Sequence, residues 1–286
     1  LSAVRKVNAE TGLDSIAIAV APNGGRRTKA DHPAIPLAPA ELARTAAECH
    51  DVGAAMIHVH VRKPDGGHLL DADAYHTVIA AIKAEVGDRI IVQITSEALG
   101  IYQPHEQIAV VKAVKPEAAS LALRELVPDE TFEAAFAELL LWMKRERILP
   151  QIILYDQADA VRLADMMRRG LVPWGDIPVL FVLGRYSVNQ LSRPKDMLPF
   201  MGMKVPQFGH WSMCAFGHHE AACVTAGALL GGNIRVGFEN NVSLPDGTRA
   251  RTNADLVRFV RKSLENLGVV TQDAADLRTR LHKILV

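Results

Sequence analysis

The chain has 286 residues, 49% hydrophobic and 22% charged, with 32 Lys plus Arg balanced by 32 Asp plus Glu. That is enough apolar material for one sizeable core, and a near-zero net charge gives no basis for a polyanion partner, so nucleic acid is not expected. No uncharged apolar run reaches membrane-spanning length, which leaves no membrane partner to expect.

The first residues lack a basic head followed by an apolar stretch, so no secretory signal is expected. Cys49, Cys214 and Cys223 are scattered without Cys-x-x-Cys spacing, which fits buried thiols in the cytoplasm rather than a disulfide framework. Along the chain, short β-branched runs alternate with longer amphipathic segments. The predicted strands are Ser15–Ala21, Ala55–Val61, Ile90–Thr95, Ala118–Leu121, Gln151–Leu154, Val179–Leu183, His210–Cys214 and Ile234–Gly237. The predicted helices are Ala40–Asp51, Ala72–Val86, Pro104–Val114, Asp129–Arg147, Ala158–Arg169, Lys195–Met203, His218–Leu230 and Asn253–Leu267. Gly170, Gly231 and Gly268 stand where helices should stop. Eight strand–helix units with near-continuous apolar strands predict a single (β/α)8 barrel, a TIM barrel, over residues 1–286. An open doubly wound sheet is the alternative. The first βα turn, Pro22 to Arg27, lacks the G-x-G-x-x-G spacing of a dinucleotide site.

A barrel carries its chemistry at the carboxyl ends of its strands. Polar groups gather there: Asn23 and Arg26, His58 and His60, Thr95 to Glu97, Ser120 and Arg124, Tyr155 and Asp156, Arg185, His218 and His219, Glu239 and Asn240. In Met56-Ile57-His58-Val59-His60-Val61 the two histidines are alternate residues of one strand and share a face. Two such imidazoles in an apolar strand repel if protonated and leave nitrogens unsatisfied if dry. A divalent cation resolves both problems, and zinc would take a carboxylate as third ligand with one position open. Glu239, at the end of the last strand, is the candidate. The competing reading is a pair of histidines hydrogen-bonded in the core. His68 and His76 read as surface residues, and His218 and His219 either line the mouth or cap the next helix.

Several motifs resemble one family. The segment Ala21–Pro39 has Asn23-Gly24, Thr28-Lys29 and Pro33-x-x-Pro36, and His58-x-His60-x-Arg62 is followed by Asp65-Gly66. Then come Ile91-x-Gln93-Ile94-Thr95, Lys115-Pro116-Glu117, Phe181-Val182-Leu183-Gly184 and Arg235-Val236-Gly237-Phe238-Glu239-Asn240-Asn241. Together, in this order, they resemble the β-keto acid cleavage enzymes. The resemblance implies a zinc-dependent barrel, usually a homotetramer, that joins a β-keto acid and acetyl-CoA to give acetoacetate and a new acyl-CoA. It assigns zinc to His58, His60 and Glu239, a catalytic arginine to Arg235, a hydroxyl of the catalytic network to Thr95 and a substrate contact to Ser120. The ion-pair alternatives for Arg235 are Glu239 and Asp246. Asn23 in the opening loop is a further candidate substrate contact.

Three positions depart from the family pattern. The base expected after Glu239 is an aspartate, and this chain has Asn240, a candidate catalytic residue by position although an amide accepts no proton near neutral pH. Strand five usually has an inward glutamate, here Ile153. Glu97 is the candidate replacement base; its alternatives are a solvated carboxylate or a partner of Arg124. The family's ammonium-binding glutamate aligns with Arg26, which together with Arg124 suggests an anionic or polar substrate tail. A metal-dependent lyase or hydrolase without CoA, and a silent ligand-binding paralogue, remain alternative functions.

Overall fold

Eight short apolar runs form strands buried on nearly all positions, as a sheet covered by helices requires. The structure is a computed structural model that describes residues 8, 11–202 and 205–285. The strands are β1 (Ile16–Val20), β2 (Met56–Val59), β3 (Ile91–Thr95), β4 (Ala118–Ala122), β5 (Leu149–Leu154), β6 (Val179–Leu183), β7 (Trp211–Ala215) and β8 (Asn233–Val236). Each pairs in parallel with the next, Ala19 opposite Met56 and His58 opposite Gln93 among the registers. The last pairs back to the first, Ile18 opposite Ile234 and Val20 opposite Val236, which closes the barrel and excludes the open sheet.

The helices start where the sequence supplies an acceptor for their free N–H groups. Asp71 accepts from Ala74 N at 2.8 Å ahead of Ala72–Val86, and Asp156 accepts from Asp159 N at 2.9 Å ahead of Gln157–Arg168. Ahead of Pro39–Asp51, the Glu41 carboxylate accepts from Leu37 N and Ala38 N at 2.9 and 3.0 Å. Among the described residues, no helix is long and apolar enough to cross a membrane.

The elements that differ from the sequence reading include three helical segments. The segment predicted as Asp129–Arg147 divides into a 3₁₀ turn, Glu130–Phe132, and an α-helix, Glu133–Glu146. The predicted helix Lys195–Met203 is a 3₁₀ helix over Pro194–Met201, with Pro199 inside it removing an α-helical donor; Met203 lies outside the described residues. The third is an additional α-helix, Ala274–Leu285, which begins on Asp273, whose carboxylate accepts from Asp276 N at 2.8 Å. Its Leu277 and Leu281 pack on Ala17, Met56, Ile91, Ala118 and Leu149 and stopper the amino-terminal end of the barrel.

At the opposite end, the turn after β8 is stitched onto β1. Glu239 N donates to Ala21 O at 3.1 Å. Gly237, at φ 142°, passes so close that a Cβ would lie 2.3 Å from Ala21 O, so no other residue fits. Gly24 likewise makes room for Glu239, since a Cβ there would lie 2.6 Å from the Glu239 Cγ.

Candidate metal centre and active site

The β2 register points the His58 and His60 side chains into the barrel mouth, and the turn after β8 brings Glu239 to meet them. His58 Nε2 and His60 Nε2 are 3.2 Å apart, and Glu239 Oε2 lies 3.7 and 3.6 Å from them. These are close to the edges of a tetrahedron with metal–ligand bonds of about 2.1 Å, whose edges are roughly 3.4 Å. Both histidines are 1% exposed, and Glu239 Oε2 is a buried oxygen without a hydrogen-bond partner. A buried lone pair facing two imidazole nitrogens is the arrangement that a divalent cation satisfies. The donor set of two imidazoles and one carboxylate fits such an ion.

The surroundings tune the donors. Burial depresses the His58 imidazole to about 3, with Arg235 adding to the effect, so His58 is neutral and free to ligate. Burial alone would raise the Glu239 carboxyl, but Arg235 and the two histidines outweigh it and hold the group well below its usual range. Arg235, 3% exposed on β8, sends Nη2 to Glu239 Oε1 and to Cys214 Sγ at 3.5 and 3.4 Å, while its Nε and Nη1 have no hydrogen-bond partner. Of the two ion-pair alternatives for Arg235, Glu239 is the one in place.

A cavity of about 360 Å³, mouth included, opens beside these groups. One half is polar: His58, His60, Thr95, Glu97, Ser120, Arg185, Arg235 and Glu239. Glu97 Oε1 accepts from Arg185 Nη2 at 2.9 Å, and Oε2 lies 3.7 Å from His60 Nδ1, so Glu97 stands behind a candidate ligand as well as on the wall. Thr95 Oγ1 accepts from Glu97 N at 3.0 Å. The Ser120 hydroxyl is buried without a hydrogen-bond partner. The other half of the wall is Ala122, Ile153, Tyr155, Val182 and Phe216.

Several candidate residues stand elsewhere than the sequence suggests. Arg26 is exposed and does not line the cavity. Arg124 turns outward, held by Asp156 and Asp159 at 2.6 and 2.7 Å and beside the rings of Tyr155 and Tyr186, so it partners neither Glu97 nor the cavity. The cation beside Glu97 is Arg185. The Asn23 amide is spent on the chain of His60, donating to His60 O at 2.9 Å and accepting from His60 N at 3.3 Å, which makes it a support of the ligand rather than a substrate contact. Asn240 is fully buried next to the Glu220 carboxyl and does not line the cavity. His68, expected at the surface, is 5% exposed, with Nε2 2.6 Å from Glu97 O. His219 sits at the cap of Glu220–Leu229, its Nδ1 2.9 Å from Ser192 O. Gln93 is a residue of the site that sequence reasoning misses. Its amide meets His58 Nδ1 at 2.8 Å, and the signal that could have found it is a lone amide inside the apolar run Ile91–Thr95.

The beta-keto acid cleavage enzyme family matches residues 15–282. The 3-keto-5-aminohexanoate cleavage enzyme of Fusobacterium nucleatum is 29% identical over 278 residues, 92% of this chain and 97% of that protein. The 3-oxoadipate:acetyl-CoA acetyltransferase of Cupriavidus necator is 26% identical over 272 residues, 92% of this chain and 93% of that one. Among solved structures, the apo structure of ObcA superposes with a TM-score of 0.66 at 17% identity, over 87% of this chain and 66% of that one, and bears on the fold.

Proposed function

This chain belongs to the β-keto acid cleavage enzyme family, and we propose that it is a zinc-dependent transferase that cleaves a β-keto acid against acetyl-CoA, yielding acetoacetate and a new acyl-CoA. The reading includes a cytoplasmic homotetramer, as the family resemblance implies. The observation that carries it is the buried triangle of His58 Nε2, His60 Nε2 and Glu239 Oε2 on the wall of a cavity rich in polar groups.

A divalent ion would be held by His58, His60 and Glu239 and would supply Lewis acidity that lowers the cost of an enolate. Glu97 takes the C2 proton. It is a carboxylate on the cavity wall, whereas the Asn240 amide cannot accept a proton and stands beside Glu220. Arg185 and the Thr95 hydroxyl hold Glu97 in place through contacts of 2.9 and 3.0 Å. The two unpartnered Arg235 nitrogens and the Ser120 hydroxyl donate to substrate oxygens, where negative charge grows as C2 becomes nucleophilic. The C2 enolate adds to the acetyl thioester and CoA thiolate leaves. The thiolate then adds to the original keto carbon, and the C2–C3 bond breaks. The acetoacetate carbanion regains its proton from Glu97, and the former keto carbon departs as the new acyl-CoA.

Metal analysis of the purified protein, with acetoacetate and acyl-CoA measured with and without acetyl-CoA, tests the reading. Bound zinc and product only in the presence of acetyl-CoA is the expected result. Product without acetyl-CoA, or bound metal with no product, overturns it.

A further inference from the structure

The cavity is divided by chemistry, and the division bears on the substrate. Its polar half contains every charged group of the wall, and these match in pairs: Arg185 with Glu97, Arg235 with Glu239. The facing half is formed by Ala122, Ile153, Val182 and Phe216, with the ring of Tyr155 beside them. No side chain among those residues carries a charge. Two guanidinium groups border this half and both are already paired: Arg185, 5.2 Å from the Phe216 ring centroid, with Glu97, and Arg124, outside the cavity, with Asp156 and Asp159. A carboxylate or ammonium placed against this wall would lose its hydration and meet no unpaired counter-charge. An alkyl group placed there would leave water for a packed apolar surface.

We propose that the substrate is a β-keto acid whose tail beyond the keto carbon is an uncharged alkyl chain, seated on Ile153, Val182 and Phe216. This rests on the cleavage reading above for the reaction and adds the substrate class. The anionic tail suggested by Arg26 in the sequence is replaced, because that side chain is exposed and off the wall.

Three acids with the same six-carbon chain provide the test: 3-oxohexanoate, 3-oxoadipate and 3-oxo-5-aminohexanoate, each assayed with acetyl-CoA and zinc-loaded protein. The alkyl acid, 3-oxohexanoate, is expected to surpass both charged acids in kcat/KM by on the order of 100-fold. It should surpass its shorter homologue, 3-oxopentanoate, about fourfold, the worth of one buried methylene. A charged acid used as well as the alkyl acid overturns the proposal while leaving the cleavage reading intact. If no acid turns over, the cleavage reading fails, and calorimetric titration without acetyl-CoA still decides the tail. Tightest binding by the alkyl acid, with the most negative heat-capacity change, supports the alkyl seat, and equal affinities for all the acids overturn it. Ile153→Ala, which removes packing surface without adding charge, is expected to lower kcat/KM about tenfold with the alkyl acid and less than twofold with 3-oxoadipate. Equal losses on both acids count against a tail seat at Ile153.

Discussion

The Gln93 side-chain carbonyl lies 2.8 Å from Nδ1 of His58 and accepts its proton, which turns the lone pair of His58 Nε2 toward His60 and Glu239. The amide of Gln93 continues the chain, donating to Gln151 Oε1 at 3.2 Å, and Gln151 donates to Ser212 Oγ at 3.2 Å. One polar thread thus crosses the oily barrel from a candidate ligand on β2 to β7, each amide fixing the orientation of the one before. Gln93→Leu keeps much of the volume and breaks the thread at its first link. Zinc affinity, measured by competition with a chromogenic chelator, is expected to fall about 10- to 100-fold, roughly 1.4–2.7 kcal/mol. An affinity within a factor of two of wild type would show that the amide does not orient the ligand.

Arg235 and Glu239 are coupled, and removing the cation separates two roles. Arg235 is the leading influence holding the Glu239 carboxyl low against its burial. In Arg235→Met the carboxylate loses that competitor and becomes the stronger Lewis base at neutral pH. Zinc affinity is therefore expected to stay level or rise, while kcat falls about 100- to 1000-fold through loss of the donors to the growing oxyanion. Parallel losses in affinity and turnover would mean that Arg235 serves to build the metal site.

The barrel and its candidate metal triangle were legible because they rest on short periodicities. His58 and His60 are two residues apart on a strand, so their shared face follows from the pleat, and Glu239 follows from where the last strand ends. What stayed hidden depends on side chains that choose among several partners. Arg26, Arg27, Arg124 and Arg185 all follow strand ends, and nothing local says which turns inward. Arg124 is claimed by Asp156 and Asp159 from the next unit, and Arg27 by Phe238 O at 2.7 Å, leaving Arg185 for Glu97. The Asn23 amide satisfies the backbone of His60 across 37 positions of sequence, a contact that no spacing rule encodes.

The carboxyl of Glu125 gives the fold a pH dependence of definite sign. Burial, reinforced by the charge of Glu97, pushes it up to about 7, although Ala98 N and Gln107 donate to it. A carboxyl raised from its ordinary 4.5 binds more protons folded than unfolded between those two values. Its contribution is therefore fully present below 4.5 and is lost as pH rises through about 7, at up to about 1.4 kcal/mol per pH unit. Glu125→Gln keeps an acceptor for Ala98 N and removes the titration. Urea midpoints of the two proteins, measured from pH 5 to 8, should converge or cross as pH rises, because the wild type alone loses this contribution. Parallel curves would show that the Glu125 carboxyl is already ionised in the folded protein at pH 5.

The helix Ala274–Leu285 bears on stability from the end of the barrel opposite the candidate metal triangle. Leu277 and Leu281, 4% and 6% exposed, close the amino-terminal end and line a cavity there with Gln93, Gln151 and Ser212. Each truncation to alanine removes about three methylene-sized groups from a packed site, at a cost of about 2–5 kcal/mol. In a chain of this length that corresponds to a drop in Tm of roughly 4–10 °C for each substitution. Leu281→Ala should also admit water to the foot of the polar thread, where the Gln151 and Ser212 groups can hydrate in place of each other. The thread's upper link, His58 Nδ1 to Gln93 Oε1 at 2.8 Å, uses the opposite end of the Gln93 amide from its bond to Gln151. A lower Tm with kcat and zinc affinity unchanged within twofold is therefore the expected signature. A fall in zinc affinity comparable to that of Gln93→Leu would mean instead that the thread acts as one cooperative unit, oriented from the stopper upward.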